Sequence, residues 1–291
     1  MLVRKRGDGF RLVTQYEHGA LAGELAERWG NDRFAMPAEP FAAALMIAAA
    51  HHDDGWRELD DLPAHNPEAG RPAHFLELPL ERTVPPYGRG VDSVYARDPL
   101  AGALVHAHWT GLYSGRWGLQ SSGGPVPHPL AEEVVAKGEP RRQATLREVW
   151  NFEGPRSRFE ANAWHAYEVL QALDVTSLAL SLLDPSVPSD PALEPPLLTA
   201  TLFPVEQPPG GRILPSVPTA PLGEHLDLTL SVPAPGVATV DPWPFAEPSF
   251  ALELPARSLA GDGLAEDEAR AAYQAAPVEP IRWTLSRESG R

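Results

Sequence analysis

The chain contains no cysteine, which excludes disulfides, thiolate metal ligands and a cysteine nucleophile. Lysine is nearly missing as well: only Lys5 and Lys137 are present, and arginine makes up the rest of the 24 basic residues. That bias reads as genomic composition or thermal adaptation rather than function. Positive charge is scarce, and the net charge of −15 argues against broad binding to nucleic acid or an anionic membrane, both of which need a basic footprint. A small anionic substrate held by a few local arginines is still compatible with it. Long apolar runs are missing too. The longest is Phe41 to Ala50, ten residues, about half of a bilayer-spanning helix. Met1–Phe10 carries charges but no apolar stretch for secretion. A cytosolic protein is expected.

What is present suits an ordinary globular protein. The 291 residues, 43% hydrophobic and 22% charged, are enough for one large domain or two smaller ones. Histidine and proline are unevenly spread: nine of the ten histidines precede residue 184, whereas 19 of the 33 prolines lie in the final 108 residues. The change of character near Asp184-Pro185 predicts a helical metal-binding domain over 1–183, opened by a hairpin, and a Pro-rich β appendage packed on it over 184–291.

The apolar run ends abruptly in His51, His52, Asp53 and Asp54, before Gly55. Burying imidazole and carboxylate without partners costs several kcal/mol, and a metal ion satisfies such a cluster at once. With no sulfur available, the donors are imidazole and carboxylate, a set suited to Fe, Mn, Zn, Co or Ni.

Helical phase selects among the candidates. Residues 2–6 and 10–13 read as two strands, followed by a helix from Gln15 to Trp29 with Thr14 as N-cap. On it His18 precedes Leu21, Ala22 and Leu25 by three, four and seven residues and so faces the core. In a second helix, about Pro40 to Asp54, His52 continues the stripe of Phe41, Leu45 and Ala48. Asp53 is offset from it by about 100°, close enough to lean toward a shared ion, while His51 follows Ile47 and Ala44. Residues 57–97, with many prolines and glycines, read as a long loop of the kind that forms a lid or binding surface. Asp98-Pro99 opens a helix on which Ala101, Leu104 and Val105 lead to His108, with His106 on another side. Residues 130–150 are helical in pattern with a break at Gly138-Glu139-Pro140. A further helix over about 156–183 carries Asp174 between Leu170 and Leu178. The segments 198–202, 226–232, 250–254 and 281–285 read as strands of a small antiparallel sheet, interrupted by an acidic helix near 265–275. Asp241-Pro242-Trp243-Pro244-Phe245 reads as a packing element.

The inward-facing set is therefore His18, His52, Asp53, His108 and Asp174. Its order, carried by Gln15–His18, by AAAHHDDG at 48–55 and by LQALDVTSLAL at 170–180, resembles the HD-domain superfamily of metal-dependent phosphohydrolases over roughly residues 14–183. The phrases HHDDGW, HWTGLYSGR and DPWPF further resemble an uncharacterised bacterial family related to that superfamily. The resemblance implies a mainly α protein with a smaller β part (α+β), an HD-like helical bundle bearing the Pro-rich antiparallel appendage. It implies one or two divalent metal ions, with His18, His52, Asp53 and Asp174 on the first and Asp53 able to bridge to a second. His108, or His106 with it, would serve the second metal or the substrate side. Such centres activate water for in-line attack on phosphorus. The implied substrate is a small phosphorylated anion, and the catalytic group comprises Asp53, His108 and Arg116, whose guanidinium suits a phosphate. Two histidines precede Asp53 where the pattern has one; His52 is preferred because aspartate follows it directly. Two other functions share the ligands: a di-iron oxygenase, which needs further donors from His51 or His106, and a non-catalytic metal-containing binding or regulatory protein.

Overall fold

The protein is described by a computed structural model covering residues 1–115, 126–152, 154–186, 211–261 and 263–287. The elements in chain order are β1 (Leu2–Arg6), β2 (Gly9–Val13), α1 (Gln15–Arg28), α2 (Phe41–His51), α3 (Arg57–Asp61), β3 (His65–Asn66), β4 (Arg71–Pro72), α4 (Leu80–Arg97), α5 (Pro99–Ser114), α6 (Pro129–Trp150), α7 (Arg156–Leu182), β5 (Gly211–Pro218), β6 (His225–Ala234), β7 (Val237–Asp241), β8 (Ser249–Leu259), α8 (Glu266–Ala275) and β9 (Val278–Arg287). No helix among the described residues is long and apolar enough to cross a membrane.

The helices start and stop where local chemistry directs. The Thr14 hydroxyl accepts from the Glu17 N–H at 3.0 Å, and the Asp98 carboxylate accepts from the Ala101 N–H at 2.7 Å ahead of Pro99. The second helix is shorter than its sequence pattern predicts. It ends at His51, and Asp54–Trp56 form a 3₁₀ turn, so His52 and Asp53 lie at the junction rather than on a continuous helix.

Residues 57–97 are not one loop. They contain α3, the short β3–β4 ladder and the 18-residue α4, which runs through Pro85 and Pro86. The two prolines withhold hydrogen bonds only from the carbonyls of Glu81 and Arg82, both exposed residues of the first turn, where solvent is available to supply donors. Likewise α6 continues through Gly138 and Pro140. Gly55 and Gly90 allow α4 to cross the end of α2 in backbone contact: a Cβ on Gly55 would meet the Pro86 carbonyl oxygen at 2.4 Å, and one on Gly90 would meet the Gly55 nitrogen at 2.5 Å. This crossing lays Tyr87 over the end of α2.

The helical-bundle expectation is overturned by the sheet. The N-terminal hairpin and the C-terminal strands form one curled seven-stranded sheet, in the order β1-β2-β8-β9-β7-β6-β5. The mixed α and β content is as expected, but the architecture, with this curled sheet, is not an HD-like helical bundle. β2 joins β8 through Phe10 opposite Leu259 and Leu12 opposite Arg257, which satisfies a backbone edge that a free hairpin would leave open. The pairing of β7 with β9 is parallel, and the other pairings in this sheet are antiparallel.

One face of the sheet is buried, with period-two patterns such as Phe250, Leu252 and Leu254 on β8 and Ile281, Trp283 and Leu285 on β9. Against it lie α1 and α7. The Trp283 indole N–H donates to the Leu180 carbonyl at 3.1 Å, and the Arg4 guanidinium donates to the Leu182 carbonyl. Phe245 of the Asp241–Phe245 segment packs edge-on against Trp29 and Phe250. β5 and β7 are not among the strands expected from the sequence, and the strand expected at 198–202 lies outside the described residues.

Candidate metal centre

Four helical segments converge behind the sheet-facing layer. α1 supplies His18, the end of α2 supplies His52 and Asp53, α5 supplies His108, and α7 supplies Asp174. None of the five is more than 5% exposed. His18 Nε2 lies 3.0 Å from Asp53 Oδ2 and 3.7 Å from Asp174 Oδ1. His52 Nε2 lies 3.3 Å from Asp174 Oδ1 and 3.9 Å from Asp53 Oδ2. The His108 ring centroid is 5.2 Å from that of His52. Two overlapping triads result, His18 with His52 and Asp53, and His52 with His108 and Asp174; within each, one donor atom per residue falls inside a 4.8 Å span.

Hydrogen bonds fix which ring nitrogens face inward. The Ser177 hydroxyl donates to the Asp174 carbonyl at 2.8 Å, so its oxygen must accept from His18 Nδ1 at 2.8 Å. The Ala49 carbonyl can only accept, so His52 Nδ1 donates to it at 2.9 Å. In the neutral tautomers both Nε2 lone pairs then point at carboxylate oxygens. Acceptor faces acceptor twice, a contact that requires a proton or a cation between them.

The electrostatics agree. Burial alone would depress the His52 imidazolium, but Asp53 and Asp174 outweigh it and push His52 up to about 9. Burial would raise both carboxyls; His52 and His18 hold Asp53 far below the usual range, and His52, His108 and His18 lower Asp174. Burial, only partly offset by Asp174, takes His108 down to about 4. The opposing charges on both carboxylates are imidazoles, not guanidinium or ammonium. Three imidazole nitrogens and two carboxylate oxygens with no sulfur make a donor set that fits a divalent transition metal.

Several neighbours escaped the sequence reading. The Gln15 side-chain amide donates to Asp53 Oδ2 at 3.1 Å, while the Gln15 backbone N–H donates to Asp60 Oδ2 at 2.7 Å. Tyr87 stacks on Trp109 at 5.5 Å and 9°, and its ring is 6.5 Å from that of His108. Burial, with Asp53 and Asp174 nearby, raises its phenol well above the ordinary value, so it is a proton-bearing group at neutral pH. Gln15 and Ser177 lie three residues from His18 and Asp174 respectively, a helical spacing that could have found them. Tyr87 was hidden in the proline-rich stretch.

The alternative donors point elsewhere. His51 Nδ1 is 3.1 Å from Asp54 Oδ2, and Arg97 reaches its Nε2 at 2.8 Å. His106 Nδ1 meets the Tyr95 hydroxyl at 3.1 Å, and burial lowers its pKa to about 4. Arg116 lies outside the described residues.

No curated protein and no solved structure matches the chain. A family model does match, over residues 1–261. That span takes in all five converging side chains and most of the sheet, and the chain belongs to the family described as protein of unknown function (DUF3891).

Proposed function

We propose that the five side chains hold one or two divalent transition-metal ions and that the protein hydrolyses a small phosphate ester or nucleotide. The observation that carries the metal reading is the double confrontation of imidazole lone pair and carboxylate at His18–Asp53 and His52–Asp174. The step from metal to catalysis rests on donor chemistry. Structural zinc sites are typically closed by cysteine, whereas histidine with carboxylate is the ligand set of catalytic ones. A metal held here supplies an acidified water and charge neutralisation at a phosphoryl oxygen. The protein's own groups orient the donors: Ser177 fixes His18, the Ala49 carbonyl fixes His52, and Gln15 holds Asp53. Tyr87 keeps a proton beside the carboxylates.

The likeness to the HD-domain superfamily is, in this proposal, confined to the order and kind of the donors. Arg116 is the proposed phosphate-binding residue. A cytosolic small-molecule enzyme, without nucleic acid or membrane as partner, accords with the net charge of −15. The di-iron oxygenase is disfavoured because the extra donors it needs, His51 and His106, are engaged with Asp54 and Tyr95. A second reading, a non-catalytic metal centre, is favoured by the burial of all five donors.

Elemental analysis of protein purified without added metal separates these readings from a metal-free one. Stoichiometric transition metal is expected in the wild type, with near-complete loss in Asp53→Ala. Absence of metal, even after reconstitution, sinks the proposal. Phosphate release from nucleoside monophosphates and para-nitrophenyl phosphate, lost in Asp53→Ala, is expected of the hydrolase. Bound metal with no turnover and no exchangeable water in its coordination sphere leaves the non-catalytic reading.

A further inference from the structure

A cavity of about 380 Å³ opens between α5, α6 and α7, within the range of about 300–1,000 Å³ typical of small-molecule sites. None of the five converging donors lines it. Along α5 its lining residue Leu104 precedes His108 by four positions, about 6 Å. Along α7 Tyr167 precedes Asp174 by seven, about 10 Å. The cavity also takes in Ala107, next to His108 on α5, so it adjoins the metal centre through that helix without sharing any of its five donors.

Its lining combines flat aromatic groups with guanidinium. Trp150, Phe159, Trp164 and Tyr167 contribute rings; Trp164 and Tyr167 stand 5.4 Å apart and tilted, and Trp164 is 46% exposed. A large aromatic left this open to water at the mouth of a cavity is available to stack on a ligand. Arg142, Arg147 and Arg156 line the same cavity, against one carboxylate, Glu160. Arg142 is held by Glu139 at 2.8 Å and Arg156 by Glu160 at 2.7 Å. Arg147 has no ion pair among the described residues. In a chain of net charge −15, the pairing of Arg142 with Glu139 and of Arg156 with Glu160 leaves Arg147 as the charge that makes the cavity positive.

We propose that this cavity binds a small aromatic anion, its ring against Trp164 and Tyr167 and its acid group, carboxylate or phosphate, on Arg147. Guanidinium grips either group through two parallel hydrogen bonds, and the aromatic walls favour a flat ring over an aliphatic chain. The assignment does not rest on the metal centre.

The test is fluorescence titration of the full chain with anilinonaphthalenesulfonate, itself an aromatic anion, followed by competition. Saturable binding at one site per chain is expected, with displacement by naphthoate and by adenosine monophosphate separating a carboxylate ligand from a phosphate one. Arg147→Glu, an exposed position, should weaken binding at least tenfold with an unchanged melting temperature and unchanged metal content. Trp164→Ala should weaken it severalfold. Non-saturable binding, or an Arg147→Glu variant that binds as well as wild type, overturns the proposal. So does competition by neutral naphthalenemethanol as strong as that by naphthoate. Decanoate competing as well as naphthoate overturns the aromatic assignment.

Discussion

Ser177 acts on the centre through one hydroxyl, which takes the Nδ1 proton of His18 while donating to the Asp174 carbonyl. Removing it frees the His18 ring to flip or change tautomer without removing a donor. Outer partners of metal-binding histidines typically contribute 10–100-fold in affinity, so Ser177→Ala should still bind metal at saturation but lose it about 10–100 times more readily to a chelator. Equal retention in a competition titration would show that Ser177 has no such role. Arg116 makes a contrasting case: Arg116→Ala should raise KM for a phosphate ester and leave metal content unchanged. Four of the inward donors, His18, His52, His108 and Asp174, were legible because each continues an apolar stripe, a signal that needs only helical period; Asp53 was legible because it follows His52 directly. Tyr87, Gln15 and Ser177 were not singled out, since a tyrosine, an amide and a hydroxyl on buried faces look like ordinary packing until the carboxylates beside them are seen.

At the level of elements, the decisive contact is the crossing of α4 over the turn that follows α2. Gly55 and Gly90 meet there with no room for a side chain, and the nearest atoms are backbone, which cannot rotate away. Gly55→Ala should therefore cost about 1–3 kcal/mol by overpacking. Because the same turn carries His52 and Asp53, it should also lower metal affinity. Urea unfolding and metal content of the variant check both, and a wild-type unfolding midpoint would show that the crossing is loose. The sequence hides this element because the many prolines and glycines of residues 57–97, Pro85 and Pro86 among them, read as a long loop. Proline costs less where water can reach the carbonyl it orphans, and exposure of the first turn is not written in the local sequence. The same reasoning explains why α6 runs unbroken through Pro140.

For the whole molecule, the sheet and the centre are legible to different degrees. Alternation marks β6, β8 and β9, but nothing local tells the N-terminal hairpin that its partner is β8, some 245 residues away. An edge strand offers backbone groups that any strand could take, so a small sheet that does not include the hairpin was the simpler expectation.

The buried charges of the centre couple it to the stability of the entire fold, and the sign of that coupling can be worked out. Without metal, His52 is raised from an ordinary 6.5 to about 9, so the stability it contributes is full below pH 6.5 and is lost as pH rises through 9. His108 is lowered from 6.5 to about 4. Its contribution is present above 6.5 and falls away toward pH 4, where the lowered carboxyls of Asp53 and Asp174 begin to act in the same direction. Metal-free protein should thus be most stable near pH 6.5 and weaken on both sides. A bound cation replaces the shared proton, so metal should stabilise the fold increasingly from pH 6.5 to 9, by about 2.7 kcal/mol when free metal is a hundredfold above its dissociation constant. Urea melts at pH 5, 6.5 and 9, with and without chelator, read this out. An alkaline limb that is the same in both conditions would mean that His52 and Asp174 share nothing a metal can displace.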